Sequence, residues 1–120
     1  MASSAQPEDQ AEPDLSQAMD RLWLRFLPEI RERVAILEGA AAAVAARSLS
    51  RAGREAAQAA AHKLAGVLGT FSLARGTVLA RELEVTFSGE SSPGPGSGAH
   101  IATIAAELRA MIENRRSSPA

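Results

Sequence analysis

A long stripe of apolar residues with helical spacing constrains this chain more than any other feature. Between residues 15 and 44 the apolar side chains recur mostly three or four positions apart, which predicts an amphipathic helix with one buried face. Asp14 and Gln17 form a capping-box pattern just before the stripe begins. Pro28 interrupts the stripe, and proline disfavours a helix interior. We therefore expect a short helix over 14–27 and a longer one over 28–46, either separate or joined through a kink.

The same spacing continues through the rest of the chain. It predicts helices over 51–69, 73–87 and 99–114, with Ser50 and Ser72 as N-cap residues. Alanine (26 residues) and leucine (12) dominate the apolar composition, while valine and isoleucine contribute five each. This composition favours helix over strand. We predict an all-α fold, an antiparallel up-and-down four-helix bundle with an additional short N-terminal helix.

The length of 120 residues allows a single domain. Residues 1–13 are polar, acidic and proline-containing, so we expect a disordered N-terminal tail. The bundle should occupy residues 14–116, followed by a short C-terminal tail over 117–120. Residues 88–98 read SGESSPGPGSG and are expected to form a flexible connector within the bundle.

The charge balance and the lack of cysteine exclude several classes of function. Lys and Arg total 13 against 14 Asp and Glu, a net charge of −1, which argues against a nucleic-acid binder that relies on bulk charge. The chain has no cysteine, hence no disulfide and no thiolate metal site. No apolar run reaches the length of a membrane span, and we expect no signal sequence because the N-terminal residues are acidic and polar. We expect a cytoplasmic protein with no cofactor, no metal, no nucleic acid and no membrane partner.

The informative segment is the helix around His62. On a helical wheel the residues within roughly 60° of His62 are polar or very small: Glu55, Gln58, Ala59, Ala65, Gly66 and Gly69. The opposite face is wholly apolar and should be the core: Ala57, Ala60, Ala61, Leu64, Val67 and Leu68. His62 is therefore expected to be exposed, and Gln58, Ala59, Ala65 and Gly69 are expected to form a docking surface around it.

Two glycines on the His62 face need an explanation, because glycine in a helix interior costs about 0.5–1 kcal/mol relative to alanine. Gly66 and Gly69 could leave room for a molecule that approaches the imidazole. Alternatively, His62 is an ordinary surface residue, Gly66 serves helix packing and Gly69 is a C-cap. The wheel leaves both interpretations open.

The chemistry available to His62 is limited. The other histidine, His100, is not at a zinc-ligand spacing, and the nearest carboxylate on the same helix face, Glu55, is two turns away. The chain has no glycine-rich phosphate loop. An exposed neutral imidazole can still attack an already activated phosphoryl group, provided that a partner supplies the activation.

The segment from His62 to Phe71, HKLAGVLGTF, follows Ala60-Ala61, and the next helix contains LARELE over residues 79–84. Together these segments resemble the histidine-containing phosphotransfer (Hpt) domain, whose pattern is AH-x-L-x-G, a short spacer with glycine, and a helix ending in a leucine–glutamate pair. The resemblance covers about residues 15–114. It implies a four-helix bundle whose histidine exchanges a phosphoryl group with an aspartate of a receiver domain, in a response regulator or a hybrid histidine kinase.

By this resemblance His62 is the phosphorylation site, Lys63 lies beside the phosphoryl group and Gly66 leaves space for it. Members of the family are mostly monomers. Two positions depart from the pattern. Many members carry a lysine where this chain has Ala65, and glycine is common where Ser72 stands. Lys63 lies ~100° from His62 on the wheel, so its long side chain must bend toward the ring for the ammonium to reach a phosphoryl group there.

The residues and the resemblance together leave three candidate functions. The first is a phosphocarrier of a bacterial-type two-component phosphorelay. The second is a non-catalytic helical scaffold that docks a signalling partner without phosphotransfer. The third, a self-contained kinase, is disfavoured because the sequence offers no ATP-binding element. We predict the phosphocarrier, which is not itself an enzyme.

Overall fold

The computed structural model describes residues 7–117 of the chain, and the side chains of residues 14–115. In this part of the chain the structure is helical and contains no strand. The helices are α1 (Pro7–Ala45), α2 (Arg51–Thr70), α3 (Ala74–Thr86) and α4 (Gly98–Ser117), with a short 3-10 turn at Pro95–Ser97. The all-α prediction is confirmed, and α2 and α3 begin and end within one residue of the predicted bounds.

Ion pairs show that α1 and α4 run in opposite directions. Arg31 Nε lies 2.8 Å from Glu113 Oε2, and Arg109 Nε lies 2.7 Å from Glu38 Oε2. Residue numbers rise along α1 while they fall along α4, which requires antiparallel helices. Both arginines donate a second hydrogen bond to the same carboxylate, so each pair has the two-point geometry that arginine favours.

Contacts of α3 with its two neighbours complete the arrangement. On the α2 side, Arg54 Nη1 donates to the Phe87 carbonyl at 3.0 Å, and Thr77 lies beside the Ala65 carbonyl. On the α4 side, Arg75 Nε is 3.1 Å from Glu107. α3 is thus antiparallel to α2. Four helices joined in sequence with alternating direction form the expected bundle.

The core lies along the inward faces of all four helices. Its fully buried large side chains come from every helix: Trp23, Ile30, Val34, Leu37, Leu64, Leu68, Leu83, Phe87, Ile101, Leu108 and Ile112. The predicted apolar face of α2 is buried except for Val67, which is half-buried. This agreement follows from the 3.6-residue period, which fixes the inward face of a helix.

The prediction of an additional short N-terminal helix is wrong, because α1 is continuous through Pro28. Proline removes the hydrogen bond that the carbonyl four residues earlier would accept. Here that residue is Leu24, which is 58% exposed, and Pro28 is itself exposed. Water can therefore satisfy the Leu24 carbonyl, so the helix continues.

The ends of the chain also differ from the prediction. Residues 7–13, expected to be disordered, belong to α1, and Ser117 belongs to α4. Residues 1–6 and 118–120 of the predicted tails lie outside the described residues.

The end of α2 explains why glycine suits the position of Ser72. The Leu73 amide donates to the Leu68 carbonyl, and the Ser72 amide donates to the Gly69 carbonyl, the two bonds of a Schellman motif. Ser72 has φ 61°, in the left-handed region that favours glycine. Its prediction as the N-cap of α3 is wrong, since Leu73 holds that position. Arg47, with φ 57°, occupies the equivalent place after α1.

The predicted connector 88–98 contacts the bundle at two points. Ser92 Oγ donates to the Leu49 carbonyl at 3.3 Å. Gly98 already belongs to α4, and a Cβ on it would lie 2.9 Å from the Cβ of Ala45. The second half of the segment thus packs on the end of α1, which the composition alone did not indicate.

Candidate functional site

The exposed face of α2 carries His62 near the middle of the helix. The His62 side chain is 69% exposed, and Ala59, Gly66 and Gly69 are also exposed. Gln58 is half-buried. These positions agree with the wheel, which requires that the face opposite the apolar stripe meet solvent.

Ala65 is an exception and does not belong to the exposed face. It is 2% exposed, although the wheel places it about 60° from His62. The reason is α3, which packs along this side of α2 and brings Thr77 Oγ1 to 3.5 Å from the Ala65 carbonyl. The predicted docking surface is therefore reduced to Gln58, Ala59 and Gly69 around His62.

The His62 ring is held by a carboxylate from the neighbouring helix. Its Nδ1 lies 2.8 Å from Oε2 of Glu84, which α3 places opposite the middle of α2. An ionised carboxylate can only accept a hydrogen bond, so the proton of the neutral imidazole lies on Nδ1. The other nitrogen, Nε2, then keeps its lone pair. Glu84 is 24% exposed, so it is more sheltered than the ring that it orients.

This arrangement would allow Nε2 to act as a nucleophile. A neutral ring with its proton on Nδ1 can form a bond through Nε2, and the ring becomes positively charged when it does so. The carboxylate of Glu84 would stabilise that charge by a charge-assisted hydrogen bond. Glu84 therefore fixes the ring orientation and favours the charge that develops on reaction.

Gly66 leaves open space one turn after His62. A Cβ built on Gly66 meets nothing within 4 Å, whereas one on Gly69 would lie 3.6 Å from Thr77 Oγ1, an ordinary contact. Helix packing therefore does not require glycine at either position. The lack of a side chain at Gly66 keeps the approach to the ring open.

A shallow depression of about 320 Å³ lies beside the ring. Its lining combines one cation with two carboxylates and small or polar residues: Glu55, Gln58, Ala59, His62, Lys63 and Glu84. Within the described residues the Lys63 ammonium has no ion-pair partner, while Glu55 pairs with Arg51 at 3.4 Å. Lys63 is thus a free cation at the edge of the site, available to an anionic group.

The second histidine has a different environment. His100, near the start of α4, is 67% exposed and hydrogen bonds through Nε2 to Glu82 Oε2 at 2.8 Å. The carboxylate therefore occupies the outer ring nitrogen, the one that is free in His62.

Glu84 is the residue of the candidate site whose contact with His62 the sequence did not reveal. Its contact joins residues 22 positions apart, which no local pattern reveals. Glu84 belongs to the leucine–glutamate pair of the Hpt pattern, so the sequence singled out the residue but not its contact with His62. Across the side chains described, no group of three or more histidine or acidic residues could hold a metal ion.

Comparison with known proteins identifies one family. The family model described as "Hpt domain" matches residues 21–118, nearly the whole chain. No match was found with any curated protein or solved structure. None of the helices in residues 7–117 is long and apolar enough to cross a membrane.

Proposed function

The chain belongs to the Hpt domain family, and we propose that it is a histidine phosphotransfer protein of a bacterial-type two-component phosphorelay. His62 carries the phosphoryl group to or from an aspartate of a receiver domain. The observation that carries this proposal is the His62–Glu84 contact of 2.8 Å through Nδ1, which leaves Nε2 available on an exposed face. The protein is a phosphocarrier and contributes no kinase chemistry of its own.

The reaction is a single displacement at phosphorus. Nε2 of His62 attacks the phosphorus of the aspartyl phosphate while the bond from phosphorus to the aspartate oxygen breaks. The aspartate leaves as a carboxylate, and the phosphoryl group becomes bound to Nε2. The Nδ1 proton stays on the ring, hydrogen bonded to Glu84. Transfer to a receiver aspartate reverses each step.

Lys63 and Gly66 support this reaction in different ways. The Lys63 ammonium lines the depression beside the ring and would attract the phosphoryl oxygens. Gly66 leaves room for those oxygens and for the acidic pocket of the receiver. Gln58, Ala59 and Gly69 complete the surface that the receiver contacts. Because these residues are small or uncharged, the contact depends more on shape than on long-range attraction.

The partner is a receiver domain of a response regulator or a hybrid histidine kinase. We propose a monomer that acts in the cytoplasm and needs no cofactor, nucleic acid or membrane. The alternative is a scaffold that docks a signalling partner without accepting phosphate. The nucleophile and its carboxylate partner are both present, which favours transfer over the scaffold.

The test is incubation with a phosphorylated receiver domain, followed by detection of acid-labile, base-stable phosphate on this chain. We expect the parent and His100→Gln proteins to be labelled and His62→Gln to remain unlabelled with an unchanged circular dichroism melt. Labelling of His62→Gln would contradict the assignment. A parent protein that binds several receivers but takes up no phosphate would support the scaffold.

A further inference from the structure

A second polar depression lies at the N-terminal end of α2. It has a volume of about 530 Å³ and is lined by Arg51, Arg54, Glu90, Ser91 and Ser92. Sites for small molecules commonly fall between roughly 300 and 1,000 Å³, so the depression has a suitable size. Its lining is polar, with two guanidinium groups and two hydroxyls, which favours an anionic ligand.

The most informative residue here is Arg54. It is 8% exposed and is the only buried charged residue among the side chains that the structure describes. Its Nη1 donates to the Phe87 carbonyl at 3.0 Å, at the end of α3. Within the described residues no carboxylate reaches it as an ion-pair partner. A buried charge is unfavourable unless it is neutralised. The Arg54 guanidinium thus has a backbone acceptor but no carboxylate partner among the described residues, and it lines the depression.

Arg51 adds a second cation at the same place. Its side chain is 85% exposed and makes only a 3.4 Å ion pair with Glu55. The first turn of α2 contains no acidic residue, although negative charge is favourable at that end of a helix. The two arginines are repelled by the positive end of the helix dipole and by each other. A bound anion would offset both repulsions.

We propose that this depression binds a phosphate group, free or carried by a small molecule. Arginine forks match the oxygens of phosphate, and the hydroxyls of Ser91 and Ser92 can donate to them. Glu90 lies in the same lining and opposes the anion by charge repulsion. Arg54 precedes His62 by eight residues, about 12 Å along the helix axis, so the site is separate from the His62 face.

The test uses the full chain and follows backbone and arginine side-chain NMR signals during titration with inorganic phosphate. Glucose 6-phosphate is titrated in parallel, and sodium chloride at matched ionic strength is the control. We expect phosphate to shift the signals of Arg54, Ser91 and Ser92, and chloride to leave them unchanged. Tighter binding of glucose 6-phosphate identifies a monoester ligand, and equal affinity identifies free phosphate. Both results support the site.

Two exposed residues give variants with opposite expected effects. Arg51→Gln should weaken phosphate binding and Glu90→Gln should tighten it, each by up to about fivefold, the upper end for an exposed charge pair. Arg25→Gln, on α1, is the matched control and should bind as the parent does. His62→Gln should also bind normally, so this result is independent of phosphotransfer. The proposal is overturned if phosphate and chloride shift the same signals equally, or if the Arg51 and Glu90 variants behave as Arg25→Gln does.

Discussion

The space at Gly66 predicts that stability and phosphotransfer respond in opposite directions to one substitution. Gly66 is exposed in the middle of α2, and a Cβ there meets nothing within 4 Å. Gly66→Gln therefore introduces no clash. The new side chain would stand one turn from His62, where the phosphoryl group and the receiver must fit.

The stability change follows from helix propensity. Replacing glycine by glutamine in an exposed helix interior should stabilise the fold by about 0.5–1 kcal/mol. For a chain of this size that corresponds to a rise in the melting temperature of about 2–5 °C. Uptake of phosphate from a receiver should nevertheless slow at least about tenfold, as expected for the loss of about 1.4 kcal/mol of transition-state stabilisation. Gly66→Glu should be slower still because of charge repulsion.

The assay combines a circular dichroism melt with the phosphotransfer time course. Gly39→Gln is the matched control, because Gly39 is also exposed, helical and free of contacts within 4 Å of a built Cβ, but lies on α1. It should gain similar stability and keep the parent transfer rate. A Gly66→Gln protein with a normal transfer rate would refute the access argument, and one that fails to fold would show that the position serves packing.

Three further predictions address the site and the fold. The glutamine of Glu84→Gln can still accept the hydrogen bond from Nδ1 through its amide oxygen but lacks the charge, so this substitution should slow transfer less than Glu84→Ala. Equal transfer rates for the two variants in the phosphotransfer assay would exclude an orienting role. Ser72→Gly should raise the melting temperature by about 2–5 °C, because it relieves a left-handed residue that costs about 1 kcal/mol; a lower melting temperature would contradict this reason. The hydrogen bond from Arg109 lowers the pKa of Glu38 from 4.5, so Glu38 stabilises the fold above that pH and loses this effect as the pH falls through its lowered pKa. The Glu38→Gln protein should therefore have a lower melting temperature than the parent at pH 7, and this difference should shrink as the pH falls below 4.5.

The exposed and buried faces of α2 were predictable from the sequence, but the contacts that α3 makes with α2 were not. The periodicity identified His62 and Gly66 as exposed and Leu64 as core, because one helix has one inward direction. It misplaced Ala65, since a wheel gives the angle of a residue but not the position of the helix packed beside it. It could not pair Glu84 with His62 either, because that contact depends on the register between α2 and α3.

The backbone features that were predicted wrongly depend on solvent and on hydrogen bonds across a helix end. The sequence predicts a break or kink at Pro28, yet α1 continues through it at a point where Leu24 is exposed and water can reach the backbone. Ser72 has the residue type of an N-cap but lies in the left-handed turn that ends α2. Residue preference alone does not decide whether Ser72 caps the start of α3 or lies in the turn that ends α2, because both positions are next to a helix end.

The two histidines are distinguished by contact geometry and not by exposure. Their side chains are almost equally exposed, 69% for His62 and 67% for His100, and each lies 2.8 Å from a glutamate of α3. The difference is the ring nitrogen engaged. Glu84 holds Nδ1 of His62, the nitrogen nearer the backbone, whereas Glu82 holds Nε2 of His100. Under the proposed function, a phosphoryl donor that approaches His62 would meet the lone pair of the outer nitrogen, Nε2. At His100 the outer nitrogen is engaged by Glu82, and the lone pair of the neutral ring lies on Nδ1, nearer the backbone.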